Sequence, residues 1–241
     1  MRAETRHQLK QDRFSRVTID AAEATVHWSA EHKGKLTVGV IVVAVLAAAT
    51  VGGWYYLNTQ DEKASLEVSQ AVRALQTPVR PANMPAEPDA PSFSSNKERA
   101  AAAQKKFQEV IDRYPHTHAA EVSKYFVGIT AADMGDNTTA ENDLKAVVSS
   151  GGGDLSALAK MALASVYRNT NRIPQAVDLY KQLIDKPTAT VSKSVAQLEL
   201  ASSYEAANQP AEAKRIYQEI QKDNPTGEAA QMASAKLQQL K

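Results

Sequence analysis

Two histidines separated by one residue, His116 and His118, are the first candidates for chemistry in this sequence. Imidazole nitrogens bind Zn²⁺, but a structural or catalytic zinc site needs three or four protein ligands. No third ligand is evident near the pair, and the other three histidines, His7, His27 and His32, are scattered. The chain also has no cysteine. The sequence therefore predicts no metal and no cofactor.

Three consecutive glycines, Gly151 to Gly153, are the second candidate for chemistry. A phosphate-binding loop needs a following Lys and Ser or Thr and stands between a strand and a helix. The glycines lack those residues and follow a helical pattern, so they are interpreted as a linker. Acidic pairs such as Asp61 and Glu62 are interpreted as solvated. The sequence predicts that the chain is not an enzyme.

An apolar pattern that recurs about every 37 residues indicates the elements of the fold. A small residue is followed four positions later by a large one, then an apolar residue and a turn. The small residues are Ala103, Ala140, Ala176 and Ala213, and their large partners are Phe107, Leu144, Tyr180 and Tyr217. Repeats of this length are typical of stacked helical hairpins, which bind other molecules.

Helical periodicity and short loops predict an all-α chain of antiparallel helices. The predicted helices are 19–33, 61–76, 97–113, 118–133, 138–149, 155–169, 173–185, 190–207, 210–222 and 227–240. The 61–76 helix is expected to be continuous with an apolar segment before it. Residues 77–96, which contain five of the ten prolines, are predicted to be an extended, exposed insertion.

The segment from Leu36 to Leu57 is predicted to be a transmembrane helix. Its 22 residues carry no charge, and at about 1.5 Å per residue they are long enough to cross a bilayer core. Trp54, Tyr55 and Tyr56 form an aromatic belt at one end and lysines flank the other. The basic flank predicts a cytoplasmic N-terminus. A cleaved secretory signal with a cleavage site at residues 47–49 is the competing interpretation.

Net charge argues against nucleic acid as a partner. The chain has 28 basic and 27 acidic residues, whereas nucleic-acid-binding domains usually carry a basic face.

The repeat units resemble the tetratricopeptide repeat (TPR) pattern. The last unit contributes Leu200, Ala201, Tyr204, Ala213, Tyr217, Ile220 and Pro225, and the preceding one Leu163, Ala164, Tyr167, Ala176, Tyr180 and Leu183. Gly128, Ala140, Leu144 and Val147 fit more loosely. The predicted fold is a single N-terminal transmembrane helix followed by a TPR-like α-solenoid of antiparallel helical hairpins with a C-terminal cap helix.

The whole architecture resembles the YfgM-like ancillary subunits of the SecYEG translocon. The resemblance is strongest where HWSAEHKGKLTVGV begins the span and GGWYYLN ends it, and it continues over 97–240; the 77–96 insertion departs from it. The predicted division of the chain is a cytoplasmic segment 1–35, a transmembrane helix 36–57, a membrane-proximal helix with the Pro-rich insertion 58–96, and a TPR domain 97–241.

This resemblance implies a protein-binding module of the bacterial inner membrane, single-pass, with a periplasmic TPR domain. Its partners would be Sec translocon subunits and a membrane-anchored periplasmic chaperone, and it would help pass newly translocated proteins to chaperones. The alternative is a TPR scaffold for another envelope process, such as cell division or complex assembly.

The first helix of each hairpin lines the binding groove in such arrays, so repeat register predicts the groove residues. They are Tyr125, Ile129, Met161, Ser165, Arg168, Asn169, Leu198, Ser202 and Glu205. This mixed surface suits peptide segments.

Overall fold

The computed structural model describes residues 32–81, 84 and 91–240, and these residues form nine helices. In chain order the helices are α1 Lys33–Gln76, α2 Asn96–Arg113, α3 His118–Asp133, α4 Asn137–Ser150, α5 Gly153–Asn169, α6 Ile173–Asp185, α7 Lys193–Ala206, α8 Pro210–Asp223 and α9 Glu228–Gln239. No strand is present in this described part; Val79 and Phe93 form one isolated bridge. The all-α prediction is confirmed.

The chain divides into two compact units, Met1–Tyr56 and Leu57–Lys241. Of the first unit, the structure describes the part of α1 that carries the apolar segment. This is a helix long and apolar enough to cross a membrane, and none of its most apolar window is buried in the protein. Continuity between the apolar segment and the 61–76 helix is confirmed, because both lie in α1. Residues 19–31 of the predicted 19–33 helix lie outside the described residues.

The second unit is a solenoid of hairpins with one large buried cluster, from Ala131 to Ala233, and two smaller clusters where α1 packs against α2 and α3. Each helix from α2 to α8 packs against the next, and α9 packs against α8. The four small residues of the repeat and their four large partners are all 0% exposed. The small residues allow the two helices of a hairpin to approach closely, and the large ones fill the space between hairpins. The repeat interpretation is therefore confirmed.

Residues 61–76 of α1 provide the first helix of a degenerate hairpin with α2. Ala71 and Ala74 of α1 form a buried cluster with Ala103 and Phe107 of α2. Asp61 is not a merely solvated carboxylate, because its Oδ1 accepts a 2.9 Å hydrogen bond from the backbone N–H of Ala119 at the start of α3. That prediction for Asp61 is wrong, and the reason is that α1 reaches past α2 to α3.

The two ends of the Pro-rich insertion lie side by side. The backbone N–H of Arg80 donates to the carbonyl of Phe93, and the N–H of Phe93 donates to the carbonyl of Pro78, at 2.9 and 3.0 Å. This pairing brings the chain back from the end of α1 to the start of α2. The described ends of the insertion are therefore joined by hydrogen bonds and are not simply extended and exposed.

Helix boundaries differ from the predictions where caps decide them. Helix α7 begins at Lys193, not 190, because Thr188 and Val191 form a hydrogen-bonded turn and Ser192 caps the helix. The glycine linker is shorter than expected, since Gly152 is the N-cap of α5 and Gly153 is its first residue. Turns within hairpins use a left-handed residue, Gly135, Asn171 or Asn208, each with positive φ.

Candidate functional site

The candidate site is the surface formed by the first helices of the hairpins and the terminal helix. Helices α3, α5, α7 and α9 contact one another in that order. We call this surface the first-helix face. It follows from the repeat, because identical hairpins stacked in register place their first helices side by side.

One row of predicted groove residues lies on this face at repeat spacing. Tyr125, Met161 and Leu198 stand 36 and 37 residues apart, and each is partly buried against the core. Tyr125 also packs edge-on against Phe126, with ring centroids 5.3 Å apart. Burial raises the pKa of the Tyr125 hydroxyl, so this ring presents a neutral group.

A second predicted row runs one helical turn further along the same helices. Ile129, Ser165 and Ser202 follow the same 36- and 37-residue spacing, and all three are half-buried. The row changes from apolar to hydroxylic along the array, so it is not a uniform surface.

The charged members of the predicted groove are held in contacts within the protein. The Arg168 guanidinium donates to a Glu199 carboxylate oxygen at 2.5 Å. The Glu205 carboxylate accepts from the Tyr217 hydroxyl at 2.9 Å and from Lys236 Nζ at 3.1 Å. These residues link α5 to α7 and α7 to α8 and α9. Asn169, the last residue of α5, is exposed.

The sequence analysis missed four apolar residues: three lie three positions before the members of the first row, and the fourth holds the equivalent position in α9. Val122, Leu158, Val195 and Met232 follow one another at spacings of 36, 37 and 37 residues. Val195 and Met232 are 45% and 53% exposed. The same periodicity that identified the core could have identified them, since this position is apolar in each of α3, α5, α7 and α9.

We call these four residues together with Tyr125, Met161 and Leu198 the apolar ladder. A ladder residue therefore lies on every helix of the first-helix face, α3, α5, α7 and α9. Contiguous exposed apolar patches often mark interaction surfaces, and Val195 and Met232 are the largely exposed members of the ladder.

Two clefts open along this ladder. The first, about 540 Å³, lies between α3 and α5 and includes Val122, Tyr125 and Leu158. The second, about 530 Å³, lies between α7 and α9 and includes Val195, Leu198 and Met232. Volumes of this size accommodate side chains of a bound peptide or a small ligand.

The histidines considered for metal binding lie at the α2–α3 turn. Thr117, between them, caps α3 through a 3.1 Å hydrogen bond that its hydroxyl accepts from the Ala120 N–H. His118 Nδ1 lies 3.8 Å from a Glu121 oxygen. Among residues that the structure describes, no group of three or more His, Asp or Glu side chains could hold a metal ion.

Stacked helical hairpins with an apolar face across their first helices define an α-solenoid of the protein-interaction class. The chain belongs to the tetratricopeptide repeat-like domain family, whose model matches residues 26–182. A second model, described as tetratricopeptide repeat, matches residues 195–227. No curated protein matches the chain. Tetratricopeptide repeats are typically non-catalytic scaffolds for protein–protein interaction.

Proposed function

We propose that this protein is a membrane-anchored protein-binding module that works beside the Sec translocon and helps pass newly translocated proteins to chaperones. The apolar ladder supports this proposal most directly. A polypeptide leaving a channel is unfolded and exposes apolar side chains, and the ladder offers it a complementary surface.

The anchor in this proposal is the apolar part of α1. Its large side chains are exposed, for example Val43 at 66% and Leu46 at 60%, as expected for a helix that faces lipid. We propose segments 1–35 as cytoplasmic, 36–57 as transmembrane, 58–96 as membrane-proximal and 97–241 as the periplasmic TPR domain, in the bacterial inner membrane. Lys33 and Lys35 before the span support this orientation.

The link to the translocon rests on the sequence on either side of the span, where the chain resembles the YfgM-like subunits. The partners proposed on this basis are Sec translocon subunits and a membrane-anchored periplasmic chaperone. Crosslinking in cells, followed by purification of the tagged chain from mild detergent and mass spectrometry, tests the proposal. Sec subunits together with such a chaperone are the expected partners.

Enrichment of division or complex-assembly proteins without Sec subunits would overturn the translocon role and favour the alternative envelope scaffold. Protease added to the outside of spheroplasts tests the orientation separately. The expected result is loss of the TPR domain and survival of an N-terminal epitope until the membrane is opened.

A further inference from the structure

We propose that the turn between α2 and α3 is a membrane-contact surface whose exposed side chains, Pro115, His116 and His118, lie against phospholipid headgroups. This inference rests on the membrane anchor in the proposed function and goes beyond it, because it assigns a lipid-contacting surface to the TPR domain itself. Three observations carry it: how soon after the apolar segment α1 becomes covered, which contacts tie the turn to α1 there, and which side chains the turn exposes.

Helix α1 becomes covered almost as soon as its apolar segment ends. Leu57, the last residue of that segment, is 45% exposed, and partial burial begins at Thr59. Asp61 stands four residues after Leu57, which is about 6 Å of helix. The headgroup layer on each side of a bilayer core is about 5–8 Å deep. Because about 6 Å is the whole length of helix between the two residues, Asp61 lies at headgroup level whatever the tilt of α1.

Contacts within the packed unit hold the α2–α3 turn beside this part of α1. Asp61 Oδ1 accepts a 2.9 Å hydrogen bond from the backbone N–H of Ala119, the second residue of α3. Ala64, which is 0% exposed, joins Ala119 in a buried cluster. Glu67 accepts a 3.0 Å hydrogen bond from the hydroxyl of Tyr114, the residue that ends α2. The turn therefore stays near the headgroups unless these contacts break.

The side chains that the turn exposes suit a headgroup layer. Pro115, His116 and His118 are exposed, and the side chain of His118 is 70% exposed. Histidine combines an apolar ring body with a polar tip, and a ring N–H donates hydrogen bonds to oxygen acceptors such as those of phosphate and ester groups. These residues can therefore enter a layer that is partly polar and partly apolar.

The charge of the turn indicates which lipids it takes. Besides its two histidines, the segment 113–121 carries one arginine and one glutamate. Arg113 is paired with Glu67, and His118 Nδ1 lies 3.8 Å from a Glu121 carboxylate oxygen. Selection of anionic lipids requires a cluster of basic residues, and this segment has no such excess. The proposed partner is therefore the headgroup region that zwitterionic and anionic phospholipids share.

Helix α3 leads away from the proposed surface and provides an internal control. Glu67, early in the covered part of α1, meets Tyr114 at the end of α2, and Gln104 of α2 donates to the carbonyl of Val127 within α3. Helix α2 is thus antiparallel to both neighbours, and α3 runs in the direction of α1. Its 16 residues span about 24 Å. Thr138, exposed just beyond its far end, is expected to lie outside the headgroup layer.

The test places a small fluorophore on single-cysteine variants of the full chain in phospholipid nanodiscs. The chain has no cysteine of its own, so each label has one attachment site. The variants are Asn58→Cys at the end of the span, His116→Cys in the turn and Thr138→Cys as the control. Quenching by lipids that carry a nitroxide on the headgroup is measured for each.

We expect the His116→Cys label to be quenched to within about twofold of the Asn58→Cys label and about threefold more than the Thr138→Cys label, because α3 separates the last two by about 24 Å. The same order is expected in phosphatidylcholine nanodiscs and in nanodiscs that also contain phosphatidylglycerol, since the turn has no basic excess.

A seven-residue insertion between Asn58 and Thr59, Ala-Glu-Ala-Ala-Ala-Lys-Ala, distinguishes contact by the turn from anchoring alone. It adds about two helical turns, so the turn moves about 10 Å further along α1 with little change of facing. Quenching at His116→Cys is expected to fall about threefold with this shift, while quenching at Asn58→Cys stays unchanged. Circular dichroism checks that the helices persist.

Quenching at Asn58→Cys without quenching at His116→Cys would overturn the inference and leave the anchor intact. Equal quenching at His116→Cys and Thr138→Cys, or no effect of the insertion, would overturn it as well. Absence of quenching at all three positions would reject the anchor on which both the inference and the proposed function rest. Crosslinking to Sec subunits is a separate measurement, and its loss with the expected quenching intact would reject only the translocon role.

Discussion

Tyr180 and Tyr217 occupy the same position in successive repeats, but their hydroxyl groups have different surroundings. Both side chains are 0% exposed. Tyr217 donates to Glu205. In the preceding repeat, Arg168 occupies the position equivalent to Glu205, 37 residues earlier. A guanidinium cannot accept a hydrogen bond, and the Tyr180 hydroxyl has no hydrogen-bond partner among the described residues. Burial raises the pKa of both tyrosines to about 12, so both hydroxyls are donors.

The two tyrosines are therefore expected to respond in opposite ways to loss of the hydroxyl. A buried donor without an acceptor costs about 1–3 kcal/mol, so Tyr180→Phe is expected to raise the free energy of unfolding by about 1 kcal/mol. Tyr217→Phe breaks a hydrogen bond to a carboxylate and is expected to lower it by about 1–2 kcal/mol. Urea unfolding of the full chain in detergent, followed by circular dichroism, measures both. Destabilisation by Tyr180→Phe would contradict this account.

Glu141 joins three helices through its carboxylate. It accepts from Lys145 Nζ on α4 at 2.6 Å, from Arg172 at the start of α6 at 2.6 Å, and from the Tyr167 hydroxyl on α5 at 3.2 Å. The Arg172 guanidinium also lies 4.5 Å from the centre of the Tyr167 ring. The hydrogen bond from Lys145, then those from Arg172 and Tyr167, lower the pKa of Glu141 from 4.5 to about 2 against the opposing effect of burial.

This carboxylate makes stability depend on acid pH. Because the folded pKa is lowered, its contribution is complete above the unfolded value of 4.5 and is lost as the pH falls towards 2. Glu141→Gln is expected to lower the free energy of unfolding by about 1–2 kcal/mol at pH 7. It is also expected to reduce the fall of the urea unfolding midpoint as the pH drops from 4.5 to about 2. Glu212→Gln, at an exposed ion pair with Arg215, is the control and is expected to change little. Equal pH profiles for wild type and Glu141→Gln would refute the role of Glu141.

Helices α3 and α4 approach closely at Gly128. Gly128 of α3 stands where the next two repeats have Ala164 and Ala201. A Cβ at Gly128 would lie 2.8 Å from Leu144 Cγ and 3.4 Å from the Leu144 backbone nitrogen. The later repeats have tyrosine at the position of Leu144. The glycine at 128 is explained by this leucine, because its branched Cγ atom lies against α3 where a Cβ of residue 128 would stand.

Gly128→Ala is expected to destabilise the full chain by about 1–2 kcal/mol, because overpacking against Leu144 outweighs the better helix propensity of alanine. In a Leu144→Ala background the clash is gone, so the same change is expected to stabilise by up to about 1 kcal/mol. A double-mutant cycle of urea midpoints measures this reversal of sign. Equal effects in both backgrounds would show that Leu144 is not the cause.

In the part of the chain that the structure describes, the hairpins from α2 to α9 form a row in which each contacts its neighbours, so stability is distributed along the row. Helix α9 ends the row: Ala230 and Ala233 are buried against the preceding hairpin, while Met232 remains exposed. In such arrays each repeat is stabilised mainly by the one beside it, so loss of a terminal helix affects the nearest hairpin most.

Deletion of residues 226–241 is therefore expected to loosen α7 and α8 and to leave α3 and α4 nearly unchanged. Ile220 and Tyr217, now 2% and 0% exposed, would lose part of their cover. Hydrogen exchange followed by mass spectrometry on the full and shortened chains in detergent is the measurement. Faster exchange spread evenly over all hairpins would indicate a single cooperative unit instead.

The sequence by itself determined the local features: the helices, the 36- and 37-residue repeat, the core pairs such as Ala176 with Tyr180, and an apolar segment long enough to cross a membrane. These follow from side-chain periodicity, which a single sequence displays completely. It also placed Tyr125, Met161 and Leu198 in one row, because register fixes which positions of stacked repeats face the same way.

The tertiary structure alone decided which of those residues are held by contacts within the chain. Arg168 and Glu205 stand in the predicted groove, but their charges are held by Glu199 and Lys236 from other helices. Asp61 reaches the start of α3 from 58 residues away, and the two clefts are formed by the approach of α3 to α5 and of α7 to α9. Such contacts depend on the distance between side chains far apart in the chain, and periodicity within one helix carries no information about that distance.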